Sequence, residues 1–263
     1  MGRKRTMSDP QTVVTDYPGE YIARISLNRP EKRNALGPEL REGLLTALQD
    51  ELVNADVRVL IITANGGHFS AGGDLASLTD IDMTSGRHRI KRGHLVARSI
   101  LTAEKPIVAA VEGYAMGAGA ALAIACDTVV VDAETTLGFP FLKVGLGPDF
   151  GVSYTLPRRL GFGQAQHAFL HAKNFKGKLA VDCGLADVLA ETGKVQAHAL
   201  ELAEDLAALP PNALALAKRQ FAAAPVDFET AAEMEAMGQS LCFGGTEFPE
   251  GIAAFQEKRK PNF

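Results

Sequence analysis

The sequence predicts an α/β fold, with a parallel sheet early in the chain and helices towards its end. Before Phe162, short apolar runs typical of strands buried on both faces alternate with segments of helical periodicity. From Phe162 onward the periodicity is mostly helical. A chain of 263 residues is long enough to bury one large core of this kind. We therefore expect an α/β core followed by a helical C-terminal section.

The predicted strands are short. In residues 21–27 the type of side chain alternates with a period of two residues, as in a half-buried strand. Residues 57–63 and 106–111 are instead largely apolar throughout. Residues 129–131 form a further short apolar run.

The first predicted helix begins at Pro38, because proline is favoured at the first helical position and leucines then recur at helical spacing. The predicted helices comprise residues 38–53, 87–103, 120–125, 164–172, 178–183, 195–209 and 213–221.

Composition and charge narrow the function classes. The net charge of −4 gives no reason to expect a nucleic acid partner. The longest apolar stretches, residues 106–111 and 115–125, are too short to span a bilayer, so no membrane association is expected. The basic N-terminus has no apolar segment after it, which argues against a secretory signal. We expect residues 1–11 to be a disordered tail, with Met7 as an alternative start to Met1.

The three cysteines, Cys126, Cys183 and Cys242, are dispersed and have no CxxC spacing. This pattern argues against a disulfide framework or a zinc site and indicates a reducing, cytoplasmic location. Cys126 lies in an apolar run and is predicted to be a small core residue.

Two glycine-rich turns follow two predicted strands. Residues 68–74 follow the strand at 57–63, and residues 113–121 follow the strand at 106–111. A strand, a glycine-rich turn and a helix N-terminus together expose free N–H groups, and two such turns can direct two donors at one oxygen. The alternative is that the glycines only permit close packing of helix on strand. Neither turn matches a dinucleotide-binding motif or a P-loop.

Four segments, in order and spacing, resemble the signature segments of the crotonase superfamily, the enoyl-CoA hydratase/isomerase family. They are residues 29–36 (RPEKRNAL), 69–75 (FSAGGDL), 113–119 (GYAMGAG) and 251–261 (GIAAFQEKRKP). The resemblance runs from about residue 12 to the C-terminus and is specific for the superfamily but not for the reaction.

The resemblance implies a crotonase-like ββα spiral core over residues 12–200. It also implies that residues 201–263 form a helical region for trimerisation and for covering coenzyme A. The usual assembly would be a homotrimer or a dimer of trimers. The expected partner is an acyl-CoA thioester, in which coenzyme A is part of the substrate, and neither a metal nor a redox cofactor is expected.

In this resemblance the thioester oxygen lies between the backbone N–H groups of Ala71 and Ala118. Two preorganised donors on a developing enolate oxygen stabilise the transition state selectively. His68 and Asp74 also have plainer interpretations, as a solvated loop residue and a loop-holding residue. The residues implied in binding substrate or coenzyme A are Arg33, Ala35, Leu36, His68, Ala71, Gly72, Gly73, Asp74, Leu75, Gly117, Phe141, Phe255 and Lys258.

The sequence departs from a typical hydratase of this family. Such a hydratase uses two glutamates to hold and activate water, and those positions match Ala121 and Phe141 here, which transfer no proton. Asp149 remains as a carboxylate in a segment similar to that of double-bond-shifting members. Its role is either acid/base catalysis or turn formation after Pro148. The basic stretch that contains His94 is predicted to be a solvated helix face.

The first hypothesis is therefore an isomerase-type enzyme of acyl-CoA or fatty acid metabolism, in which Asp149 moves a proton between two carbons. One alternative is a hydratase with an unusual water arrangement, whose second acid/base is not identified. Another is a CoA-thioester-binding protein without catalysis, and the superfamily's other enolate reactions stay open.

Overall fold

Strands and helices alternate before Phe162 and helices dominate after it, as predicted, although two short strands also lie beyond Phe162. The computed structural model describes residues 11–79, 81–223 and 226–263, so most of the predicted disordered tail (residues 1–11) lies outside the described residues. The strands are β1 (Val13–Gly19), β2 (Ile22–Leu27), β3 (Val59–Ala64), β4 (Ile107–Val111), β5 (Tyr114–Met116), β6 (Thr128–Val131), β7 (Thr136–Gly138), β8 (Asn174–Lys176) and β9 (Val188–Leu189).

Helices continue to Glu257. They are α1 (Pro38–Val53), α2 (Met83–Leu101), α3 (Ala118–Ala125), α4 (Val152–Leu160), α5 (Phe162–Leu170), α6 (Gly177–Asp182), α7 (Val195–Ala207), α8 (Pro211–Ala223), α9 (Phe228–Gly244) and α10 (Glu247–Glu257). Short 3-10 turns cover Pro30–Lys32, Leu75–Leu78 and Pro140–Val144. None of the helices in the described part of the chain combines the length and the apolar character that a membrane crossing needs.

The described strands form two sheets. The larger sheet has the order β1-β2-β3-β4-β6-β9, in which β1 and β2 are antiparallel and the other pairs are parallel. The smaller sheet has the order β5-β7-β8, with β5 and β7 parallel. Because β3 and β4 are parallel neighbours, the two glycine-rich turns leave the sheet at the same edge.

The larger sheet is covered on both faces, which explains why its strands are continuously apolar. On one face, alternate residues of β2, β3 and β4 pack in the main core with α1 and α3. On the other face, the intervening residues pack against Ala199 and Ala203 of α7. Cys126 is buried, and burial raises the pKa of its thiol to about 12, so the predicted core role is confirmed.

Several elements escaped prediction for local reasons. Strands β5, β7, β8 and β9 have only two or three residues each, so their side chains show no period. Helix α2 begins earlier than predicted because Asp82 and Ser85 form a capping box at its N-terminus. The predicted boundary at residue 200 lies inside α7, which packs on the sheet.

Glycine at position 119 lets the two turns touch. A Cβ atom at Gly119 would lie 2.6 Å from the Cβ and 2.8 Å from the carbonyl oxygen of Ser70. Ser70 in turn pairs with Ala115 in a parallel bridge. The first turn of α3 therefore rests directly on the backbone of residues 68–74, and only a residue without a side chain allows that approach.

We expect Gly119→Ala to destabilise the fold by about 1–3 kcal/mol, because the added methyl group overlaps backbone that has little room to move. Urea denaturation measures the change. Gly163→Ala in α5 is the matched control, since its Cβ would meet open space, and it is expected to be neutral or slightly stabilising. Equal stability of the two variants would contradict the close approach.

Candidate active site

The side chain of Asn34 joins three segments of the site. Asn34 is fully buried in a left-handed backbone conformation. Its amide nitrogen donates to the carbonyl oxygens of Asn65 and His68, each at 2.8 Å, and its carboxamide oxygen accepts the N–H of Arg29 at 2.7 Å. The hydroxyl of Ser70 donates to the Asn34 carbonyl oxygen at 2.7 Å. The loop at residues 29–37 is thereby fastened to the first glycine-rich turn.

The first turn offers Gly73, and not Ala71, as a free donor. The N–H of Ala71 donates to the carbonyl oxygen of Arg33 at 2.8 Å, so the prediction that this N–H binds the thioester oxygen is wrong. The N–H of Gly72 is held by the Ser70 hydroxyl at 3.1 Å. Among the described residues, the N–H of the exposed Gly73 has no acceptor.

The second turn places Ala118 beside the first. Ala118 is the first residue of α3, so its N–H has no acceptor within the helix. A Cβ atom at Gly72, whose φ is +97°, would lie 2.5 Å from the Met116 carbonyl oxygen and 3.7 Å from the Ala118 nitrogen. Gly72 is therefore required for the close approach that brings the donors of Gly73 and Ala118 together.

The two positions that carry glutamates in a typical hydratase of this family are apolar and buried. Ala121 is completely buried in α3. The ring of Phe141 lies against the second turn, 3.8 Å from where a Cβ of Gly117 would be, and stacks on Phe169 with 5.6 Å between centroids. Neither side chain can donate or accept a proton at this turn.

Asp149 is a mostly buried carboxyl group in the loop before α4. Its side chain is 17% exposed, and its Oδ1 accepts the N–H of Phe150 at 2.6 Å. Burial raises the pKa of Asp149, while the Phe150 N–H and the charges of His94, Arg41 and Arg89 act in the lowering direction. A carboxyl group whose pKa is raised by burial is well suited to accept and return a proton.

The cations around Asp149 were missed by the sequence analysis. His94 is half-exposed, as the predicted solvated helix face requires, and its Nε2 also lies 3.6 Å from Asp149 Oδ1. Arg89 feels the charges of both Asp74 and Asp149, and it donates to the Ser77 hydroxyl at 2.8 Å. Arg89 and Gly93 lie one helical turn apart on α2, so their spacing in the sequence already indicated that they share one face of this helix. Which face of α2 meets Asp149 depends on tertiary packing.

A family model described as enoyl-CoA hydratase/isomerase matches residues 19–263. The chain belongs to this family. A Thermus thermophilus protein provisionally named an enoyl-CoA hydratase is 37% identical over 248 residues, covering 92% of this chain and 97% of that protein. An Escherichia coli protein named 1,2-epoxyphenylacetyl-CoA isomerase is 29% identical, covering 92% and 94% of the two chains.

Solved structures agree with the family assignment. The crystal structure of an enoyl-CoA hydratase from Bacillus anthracis has a TM-score of 0.93 at 29% identity and covers 96% of this chain and 99% of that chain. The predicted crotonase-like α/β fold is confirmed. The chain is an acyl-CoA-processing enzyme of the enoyl-CoA hydratase/isomerase family, and an acyl-CoA thioester is consistent with that family as its substrate.

The residues implied in binding coenzyme A differ from one another in exposure and in hydrogen bonding. The N–H groups of Ala35 and Leu36 already donate to the carbonyl oxygens of Lys32 and Gly72, and the Ala35 carbonyl oxygen accepts the N–H of Gly37 at 2.8 Å, so neither N–H is free for a ligand. The Phe255 ring on α10 is highly exposed. Their roles, with those of Arg33, Leu75 and Lys258, stay predictions.

His68 and Asp74 hold the turns in place. His68 Nδ1 accepts the Tyr114 N–H at 3.4 Å, and the two rings lie 4.9 Å apart. Asp74 Oδ2 lies 3.6 Å from Arg29 Nη1.

Within the described ranges, no group of three or more histidine, cysteine, aspartate and glutamate residues could hold a metal ion.

We expect Asn34→Ala to lower the free energy of unfolding by about 2–3 kcal/mol, because three partly buried backbone groups lose their partner. The loss of alignment between the turns should also reduce kcat/KM for the substrate. Thermal denaturation and steady-state kinetics measure the two effects.

The control for Asn34→Ala is Asn28→Ala, whose hydrogen bonds to Gln11 and Asn65 are exposed. We expect the control to cost less than about 1 kcal/mol. Similar losses in both variants would show that Asn34 does not hold the site.

Proposed function

We propose that this chain is an isomerase-type acyl-CoA enzyme that moves a proton between two carbons of an enoyl thioester. The observation that carries the proposal is the mostly buried carboxyl group of Asp149, whose pKa is raised, together with the apolar residues at positions 121 and 141, which offer no acid or base. One carboxylate is enough for a 1,3-proton shift, whereas the two-glutamate hydration mechanism needs two groups.

In the proposed reaction the Asp149 carboxylate removes a proton from one carbon of the enoyl chain. The electron pair moves onto the thioester oxygen and forms a dienolate. The Asp149 carboxylic acid then returns a proton to the other carbon, and the double bond has moved with no net change in composition.

The developing negative charge on the thioester oxygen would be bound by the N–H groups of Gly73 and Ala118. Both donors are backbone groups of rigid turns, so they need no reorganisation during the reaction. Each such donor supplies about 3–4 kcal/mol of selective stabilisation of the transition state. The proposed donor pair therefore keeps Ala118 from the pair that the sequence suggested and has Gly73 in place of Ala71.

Hydration is the second candidate, because the contact between His94 and Asp149 provides the second titratable group that the sequence analysis did not find. The separation of 3.6 Å between His94 Nε2 and Asp149 Oδ1 would let one group activate water while the other protonates the α-carbon. Hydratase names also outnumber isomerase names among the relatives compared.

The proposed assembly is a homotrimer or a dimer of trimers. Large apolar side chains are exposed on α8, α9 and α10 (Phe221, Phe228, Met237, Leu241, Phe243 and Phe255), and such a surface favours association of copies. A location in the cytoplasm remains an expectation from the cysteine pattern.

Asp149→Asn tests the proposed reaction. We expect the variant to lose about a hundredfold to ten-thousandfold of the proton exchange at the α and γ carbons of enoyl-CoAs in deuterated water, because the amide cannot act as a base. NMR and mass spectrometry measure deuterium uptake, double-bond migration and hydroxyacyl product. The variant should remain folded, since the Asn oxygen can still accept the Phe150 N–H. Asp205→Asn, on the exposed face of α7, is the control.

Three other outcomes of this experiment are informative. Hydroxyacyl-CoA formed without double-bond migration would favour the hydratase. Exchange that persists in Asp149→Asn would remove Asp149 from the chemistry. Tight binding of the thioesters with no exchange in the wild type would favour a binding protein without catalysis.

A second prediction concerns pH. Acidification protonates the Asp149 carboxylate and should abolish activity. Because burial raises the pKa of Asp149, we expect this loss at a pH above the range in which an ordinary aspartate is protonated. In His94→Gln a cation that lowers this pKa is lost, so the acid limb of kcat/KM should move to higher pH. His198→Gln, on α7, is the control and should leave the limb in place. A limb that stays put or moves to lower pH in His94→Gln would contradict the assignment of Asp149 as the base.

A further inference from the structure

We propose that a cavity between α1 and α2 binds an anionic group, a carboxylate at the far end of the acyl substituent, and that Arg41 is its principal ligand. The cavity has a volume of about 680 Å³. This inference rests on the proposed function, because it takes the thioester end of the acyl group to lie at the two glycine-rich turns.

Arg41 is a buried arginine without a hydrogen-bond partner. It is 6% exposed, and its Nε is buried with no acceptor. No ion pair or side-chain hydrogen bond joins its guanidinium to any other residue in the described ranges. An uncompensated buried charge is strongly unfavourable, so a fold that retains one needs a compensating ligand or function.

The surroundings of Arg41 supply too little negative charge. Its Nη1 would lie 3.6 Å from a Cβ on Gly93, and the same Cβ would touch the Phe150 ring at 3.0 Å, so the guanidinium is enclosed between α1, α2 and the Asp149 loop. Burial and the positive charge of Arg89 lower the pKa of Arg41, which means that the charged form is poorly compensated here. Asp149 and Glu42 act in the opposite direction with smaller effect.

The other acidic groups of the cavity are engaged elsewhere. Glu42 forms an ion pair with Arg92, and Asp82 caps the N-terminus of α2. Arg41, which has no ion pair in the described ranges, and Arg89 therefore provide positive charge in one wall of the cavity, beside the apolar side chains of Pro38 and Ile81. This combination fits a chain of methylene groups that ends in an anion.

The position of Arg41 favours the acyl end of the ligand over the nucleotide. Arg41 and Asp149 are close enough to influence each other's charge, and Asp149 is proposed to act on acyl carbons next to the thioester. The planar guanidinium presents paired N–H groups that match the two oxygens of a carboxylate. We therefore infer a dicarboxylic mono-CoA thioester as the substrate class.

Binding of two saturated thioesters tests the inference without requiring turnover. Hexanoyl-CoA and adipoyl-CoA share coenzyme A and six acyl carbons and differ in a terminal methyl group or carboxylate. By calorimetry on the full-length protein, we expect adipoyl-CoA to bind the wild type about tenfold or more tightly than hexanoyl-CoA. Arg41→Gln should remove this preference without weakening hexanoyl-CoA. Arg87→Gln, an exposed arginine of α2, is the control and should keep the preference.

Arg41→Met adds a readout that does not depend on ligand. Because this variant removes an uncompensated buried charge, its melting temperature without ligand should equal or exceed that of the wild type. If Arg41 only stabilised the fold, Arg41→Met would melt lower. If Arg41→Gln does not fold, Arg89→Gln replaces it and should also weaken adipoyl-CoA selectively.

Each other outcome has a definite meaning. Equal binding of both thioesters by the wild type would overturn the inference and leave the proposed function intact, whereas no binding of either would overturn both. Equal weakening of both thioesters by Arg41→Gln would assign Arg41 to coenzyme A. Titration with inorganic phosphate tests whether the cavity binds a free anion and not the acyl carboxylate. Arg41-dependent phosphate binding, together with equal affinity for the two thioesters, would mean that it holds a free anion.

Discussion

The hydrogen bonds of the buried Asn34 side chain are the constraint on which the rest of the site depends. They tie the loop at residues 29–37 to the first glycine-rich turn, and the Ser70 hydroxyl ties that turn back to Asn34. Gly119 then lets α3 rest on Ser70. This chain of contacts sets the relative position of the Gly73 and Ala118 donors. Because Asn34 and Ser70 at its centre are buried, a shift of one segment would leave their polar groups without partners, which favours a rigid arrangement.

The catalytic proposal depends on a balance between burial and charge at Asp149. Burial favours the neutral acid, whereas three cations on two helices favour the carboxylate. A carboxyl group held between these opposing influences is suited to a proton shuttle, which must pass through both forms. Among these cations, Arg41 has an Nε with no hydrogen-bond partner in the described residues. Acid/base chemistry and recognition of an anionic acyl terminus can thus share one cluster of charges.

The glycines of the two turns have separate physical tasks. Gly72 and Gly119 permit backbone-to-backbone contact that any Cβ would prevent. Gly73 has open space around it, so a side chain there would meet no steric barrier, and its contribution is the free N–H. Small residues in such turns therefore indicate where backbones approach, but they do not identify the donor.

The sequence by itself determined the fold class, the family, the two turns and the lack of the two hydratase glutamates, because these depend on local residue type and on order along the chain. It could not determine that Ala71 donates to Arg33, since both residues lie in loops far apart in sequence. It also could not bring His94, Arg89 and Arg41 to Asp149, because α1 and α2 meet that loop only after packing. Only the tertiary structure decides which donors are free and which charges are buried, because segments far apart in sequence either supply hydrogen-bond partners to each other or do not.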